Sequence, residues 1–116
     1  MPDVLLCLTT CPDEASATRI ADALVEERLA ACVNRLPGVQ STYRWKGEVC
    51  REPEQLLLIK TTRACFDALR KRVLALHPYE LPELIAVEVA AGHAPYVDWV
   101  AQGCAVPAAS GASASP

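Results

Sequence analysis

His77 lies in the stretch LHPYELPE, residues 76–83, beside Tyr79 and Glu83 and just ahead of Pro78 and Pro82. Imidazole and thiolate are the ligands that copper and zinc prefer, so His77 with a thiol such as Cys11 is a candidate transition-metal pair. A competing chemistry is a cleft for a small anion at the start of the first helix. Free N–H groups and the helix dipole favour negative charge there, and Tyr43 and Trp45 would wall the cleft. Each residue also has a structural role open to it. A histidine before proline can bond the last carbonyls of a helix. Tyr43 and Trp45 can pack a subunit interface, where aromatics are enriched. Glu83 can cap or pair with a neighbour, and Pro78 and Pro82 can shape the turn. His93, in AGHAP, reads as a solvated loop residue.

The sequence carries no G-x-S-x-G, no glycine-rich phosphate loop and no H-E-x-x-H, and neither histidine has a nucleophile next to it in sequence. The expectation is a binding protein, not an enzyme.

These side chains must be positioned by local elements. The apolar run DVLLCLTT, 3–10, reads as a buried strand. Pro12, with Asp13 and Glu14 beside it, starts a helix in which Ala17, Ile20, Ala21, Leu24 and Val25 recur at helical spacing. CVNRLPGVQSTYRW, 32–45, reads as a strand bent at Pro37-Gly38. Lys46-Gly47 is a hairpin turn. EVCREPEQLLLIKTT, 48–62, is a second strand, with an edge or bulge expected at Glu52-Pro53-Glu54. Thr61 and Thr62 can cap the next helix, RACFDALRKRVLAL, and Pro78 ends it. ELIAVEVAAG, 83–92, is a last strand, and APYVDWVAQ, 94–102, a short last helix. The order is β-α-β-β-α-β plus a terminal helix, a ferredoxin-like α+β antiparallel sheet with two helices on one face. From Gly103 the alanine-, serine-, glycine- and proline-rich end reads as disordered. The expected division is therefore a domain at 1–102 and a tail at 103–116.

In that topology the first helix starts where the first strand ends, and the second helix stops at the same end. The hairpin tip and the start of the last strand lie there too. Cys11, Asp13, Tyr43, Trp45, His77, Tyr79 and Glu83, scattered in sequence, should gather at one end of the domain.

The bulk numbers narrow the class. A chain of 116 residues is one domain. A chain this long can bury about 65% of its unfolded surface, so no metal or cofactor is needed for folding. With 52% hydrophobic and 22% charged residues, the composition is globular. A net charge of -3 and no basic stripe argue against nucleic acid as a partner. No apolar run approaches the ~20 residues of a membrane span, which argues against a membrane. The polar start lacks a signal peptide's basic region. The six cysteines, with no C-x-x-C pair, therefore read as reduced thiols in a cytoplasmic protein.

The strands carry a further message. A sheet covered on one face should alternate apolar with polar residues. Val4 to Leu8, Leu56 to Ile59 and Leu84 to Val87 are instead apolar on both sides. Two helices cannot cover both faces, and a bare apolar face exceeds what a monomer exposes. An obligate homo-oligomer is expected.

The stretches TTCPDEASATRIADALVEERLAACVN, LPGVQSTYRWKGEV, LLLIKTT, LHPYELPELIAVEV and YVDWV closely resemble, in order and spacing, the CutA family of divalent-cation tolerance proteins. The resemblance runs from about Val4 to Ala101 and implies a ferredoxin-like homotrimer with long hairpins pairing between subunits. It implies association with copper or other divalent metal ions, with His77 at the position of the family's H-P-Y histidine. A cysteine that some members carry at the end of the first strand is replaced by Thr9, which leaves Cys11 as the nearest thiol. The family's likeness to PII signalling trimers implies an alternative: a small-molecule site between subunits near Tyr43, Trp45, Lys60, Tyr79 and Glu83.

Overall fold

The computed structural model describes residues 2–105. Its elements run β1 (Val4–Cys11), α1 (Glu14–Glu26), β2 (Cys32–Trp45), β3 (Glu48–Thr62), α2 (Arg63–Leu76), β4 (Ile85–Glu88) and α3 (Ala94–Gly103). The four strands form one antiparallel sheet in the order β2-β3-β1-β4.

Local chemistry sets the boundaries. Asp13 caps α1: its Oδ1 accepts the Ser16 N–H at 2.8 Å. The far end closes with the Leu29 N–H on Leu24 O and the Arg28 N–H on Val25 O, the paired bonds that finish a helix through a left-handed residue. Arg28 takes that position at φ 63. Thr62 caps α2 by accepting the Cys65 N–H, whereas Thr61 is buried and donates its hydroxyl to Leu29 O at 2.7 Å. Lys46 and Gly47 both have positive φ, the geometry of the tight hairpin turn expected there. The β2–β3 register shifts between Leu36 and Val39, where Gly38 has φ 81.

Alternate residues of a strand point to opposite faces. Leu5, Cys7, Cys11, Leu57 and Ile59 face α1 and α2, and pack with Ala17, Ile20, Leu24, Leu69 and Val73. The opposite face carries Val4, which α3 covers with Val97 and Val100. Beyond that corner lie Leu8, Leu58 and Ile85, in register across three strands, and Leu6 beside Val87. Ile85 is 55% and Val87 48% exposed. Both helices of the split β-α-β unit thus share one face, and the other keeps an apolar band that no element of the described chain covers.

Two boundaries differ from expectation, and one expected feature takes a definite form. β3 runs through Glu52-Pro53-Glu54 as an edge segment paired only with β2, with Pro53 opposite Gln40. The β1 ladder on its other side ends at Gln55, so the missing proline N–H deprives no neighbour. β4 has four residues rather than the expected ten. Its partner β1 begins at Val4, so the chain past Val89 has no strand to pair with. At the other end α3 includes Gly103, and the Ala105 N–H donates to Arg28 O at 2.9 Å. Ordered structure therefore continues past 102, and the rest of the expected tail, 106–116, lies outside the described residues.

Candidate functional site

The turn after α2 is fastened to the end of β1 by side chains. Pro78 forces His77 out of helical geometry (φ -76, ψ 135), and the His77 N–H still caps Val73 O at 2.8 Å. The residue is only 7% exposed. Its Nε2 lies 2.8 Å from Thr10 O, and its Nδ1 accepts the Tyr79 N–H at 3.2 Å. A carbonyl only accepts, so Nε2 carries the proton and Nδ1 offers its lone pair to Tyr79. Thr9 donates its hydroxyl to Glu83 O at 2.6 Å, and the Thr10 hydroxyl reaches Glu83 Oε1 at 3.5 Å.

This fastening sets one wall of a cavity of about 610 Å³. Tyr79 and Glu83 line it from the turn, Thr10 from β1, Tyr43 and Trp45 from β2, and Glu54 from β3. Ser41, Tyr43 and Trp45 alternate along β2 and pair with β3 residues in step with Glu54, so all share the open face of the sheet. Tyr79 donates its hydroxyl to Glu54 Oε2 at 2.6 Å. Burial first, then the bond to Glu54, pushes the Tyr79 hydroxyl pKa well above its ordinary value. The Tyr43 hydroxyl is raised in the same direction, by burial and then by Glu52.

Tyr43, Trp45, Tyr79 and Glu83 thus come together as the sequence predicts. Within the single chain three other expected features do not. Lys60 lies elsewhere on the sheet, opposite Cys32 and Leu6, with its amine on Asn34 Oδ1. It belongs to a smaller apolar pocket beneath α3, with Val4 and Tyr96. Six residues along a strand from Glu54 place it about 20 Å away. Cys11 alternates to the helix side and is fully buried against that core. Burial first, then the nearby Glu54 and Asp13 carboxylates, pushes its thiol up to about 11. The anion pocket at the α1 N-terminus is filled by the chain's own Asp13, whose pKa the Ser16 N–H and hydroxyl lower.

The metal pair expected of His77 and Cys11 does not fit this geometry. Neither imidazole nitrogen keeps a free lone pair, and the thiol is protonated at neutral pH. Among the described residues no three His, Cys, Asp or Glu side chains are grouped to hold a metal ion. Sequence reasoning missed Glu54 and Thr10. Glu54 was hidden by the neighbouring Pro53, which reads as a break. Its alternation with Leu56 and Leu58 was the available signal.

Fold and site together define a small antiparallel α+β protein with an aromatic and acidic cleft at one end of its sheet. The chain belongs to the family described as CutA1 divalent ion tolerance protein, whose model matches residues 5–103. It is 56% identical over 93 residues to the divalent-cation tolerance protein CutA of Thermus thermophilus, covering 80% of this chain and 90% of that one. It is 46% identical over 99 residues to the mouse protein CutA, covering 85% of this chain and 56% of the mouse protein. The structure of a PII-like protein CutA from Nostoc in apo form superposes with a TM-score of 0.83 at 42% identity, covering 89% of this chain and 98% of that one.

Proposed function

We propose that this chain serves divalent-cation tolerance as a homotrimer that binds a small molecule in the Tyr43–Trp45–Glu54–Tyr79–Glu83 cleft, and not by capturing copper at His77. One observation carries the choice: both His77 nitrogens are committed to Thr10 and Tyr79. Copper capture through Nδ1 would cost the buried hydrogen bond from the Tyr79 N–H before any coordination. The same commitment leaves His77 no lone pair to act as a general base, which favours a binding protein over an enzyme. The PII-like description of the Nostoc relative supports a ligand-responsive module. The open apolar face, with Ile85 and Val87 half-exposed, supports self-association. Six free cysteines support a reducing compartment, the cytoplasm. No helix among the described residues is long and apolar enough to cross a membrane.

Calorimetric titration of copper into the wild type and His77→Ala tests the choice. Equal copper affinity, or none in either, is expected. A loss greater than about tenfold in His77→Ala, with the fold retained, restores the histidine as a ligand and overturns it.

A further inference from the structure

We infer that the cleft takes an organic cation: a protonated amine, guanidinium or quaternary ammonium carried on a small apolar body. This rests on the reading of the cleft as a binding site and narrows its occupant. Glu54 lines the cavity yet is only 7% exposed. Its Oε2 accepts the Tyr79 hydroxyl, and among the described residues no donor reaches Oε1. A carboxylate buried to this degree needs a positive partner or a full set of donors. Its own chain supplies neither among the described residues. Within the chain no described lysine or arginine forms an ion pair with Glu54 or Glu83, and no described basic residue of the same chain lines the cavity.

The walls fit the same charge. Tyr43, Trp45 and Tyr79 line the space, and aromatic ring faces attract cations. Trp45 already has Lys46 Nζ at 5.8 Å from its ring centre, outside the cleft. Shape separates an organic cation from a bare metal ion. A volume of about 610 Å³ falls within the roughly 300–1,000 Å³ of small-molecule sites. The described residues offer no three-ligand metal group there. An anion would meet the Glu54 and Glu83 side chains with no basic side chain of the same chain among the lining residues.

Calorimetry on the full chain with three probes of similar shape tests this: benzyltrimethylammonium chloride, benzyl alcohol and sodium benzoate. The cation should bind at least about tenfold more tightly than the other two and weaken with added salt. Glu54→Gln should remove at least about tenfold of the cation's affinity and leave benzyl alcohol unchanged. Should Glu54→Gln fail to fold, the salt dependence and probe ranking in the wild type carry the test alone. Benzoate or benzyl alcohol binding as tightly as the cation, and lost in Trp45→Ala, would overturn the cation and leave the cleft standing. No binding by any of the three would overturn both.

Discussion

The His77 ring bridges Thr10 and Tyr79: Nε2–H donates to the Thr10 carbonyl at 2.8 Å, and Nδ1 accepts the Tyr79 N–H at 3.2 Å. One side chain thereby joins the end of β1 to the turn after α2 and aims Tyr79 at Glu54. The histidine builds the cleft wall without lining it.

Replacing His77 by alanine leaves the Thr10 carbonyl and the Tyr79 N–H without protein partners in a nearly closed site. A stability loss of about 2–3 kcal/mol is expected from two hydrogen bonds and the groups they satisfied. Urea unfolding at fixed protein concentration measures it. A loss below about 0.5 kcal/mol would mean that the turn is held without the imidazole.

Asp13 makes the acid limb of stability. Its folded-state pKa is lowered by the Ser16 N–H and hydroxyl. Its contribution is therefore present above the unfolded pKa, near 3.8, and is lost as pH falls through the lower folded value. Asp13→Asn keeps a capping side chain but removes that titration. The variant's melting temperature should fall less steeply than the wild type's between pH 5 and pH 2, as read by circular dichroism. Parallel curves would exclude Asp13 from the acid response.

Cys11 should resist chemistry at neutral pH. Its thiol is buried and raised to about 11, whereas reactivity belongs to the thiolate. Maleimide labelling read by mass spectrometry should modify half-buried Cys50 while Cys11 reacts only after unfolding. Cys11→Ala should cost about 1–2 kcal/mol through the small cavity left against the α1 core. Labelling of Cys11 at the rate of Cys50 would show that the helix side opens readily.

The open face supplies a test of assembly. Val87 is 48% exposed in the single chain, and Val25, on α1, is 43% exposed. A lone subunit would tolerate a glutamate at either position. If the Leu6–Val87 face is the subunit contact, Val87→Glu should yield slower-sedimenting subunits and Val25→Glu should keep the wild-type oligomer. Identical sedimentation of both variants with the wild type would move the contact off this face.

Short-range features were legible in the residues themselves. The Thr62 cap, the Lys46-Gly47 turn, the shift at Pro37-Gly38 and the helix stop at Pro78 each depend on a few neighbouring positions. So did the order of elements and the two-sided greasiness of the strands. Topology alone brought Tyr43, Trp45, Tyr79 and Glu83 to one end of the sheet.

Tertiary structure decided the chemistry at that end, because pairing register and face alternation are long-range properties. Register put Lys60 opposite Cys32 and Leu6, far from the other cleft residues of its own chain. Alternation turned Cys11 into the helix-side core and Glu54 into the cavity. The folded turn engaged both nitrogens of the imidazole that the sequence offers as a metal ligand. A lone pair is either free or engaged, and which of the two holds depends on atoms from segments 67 residues apart.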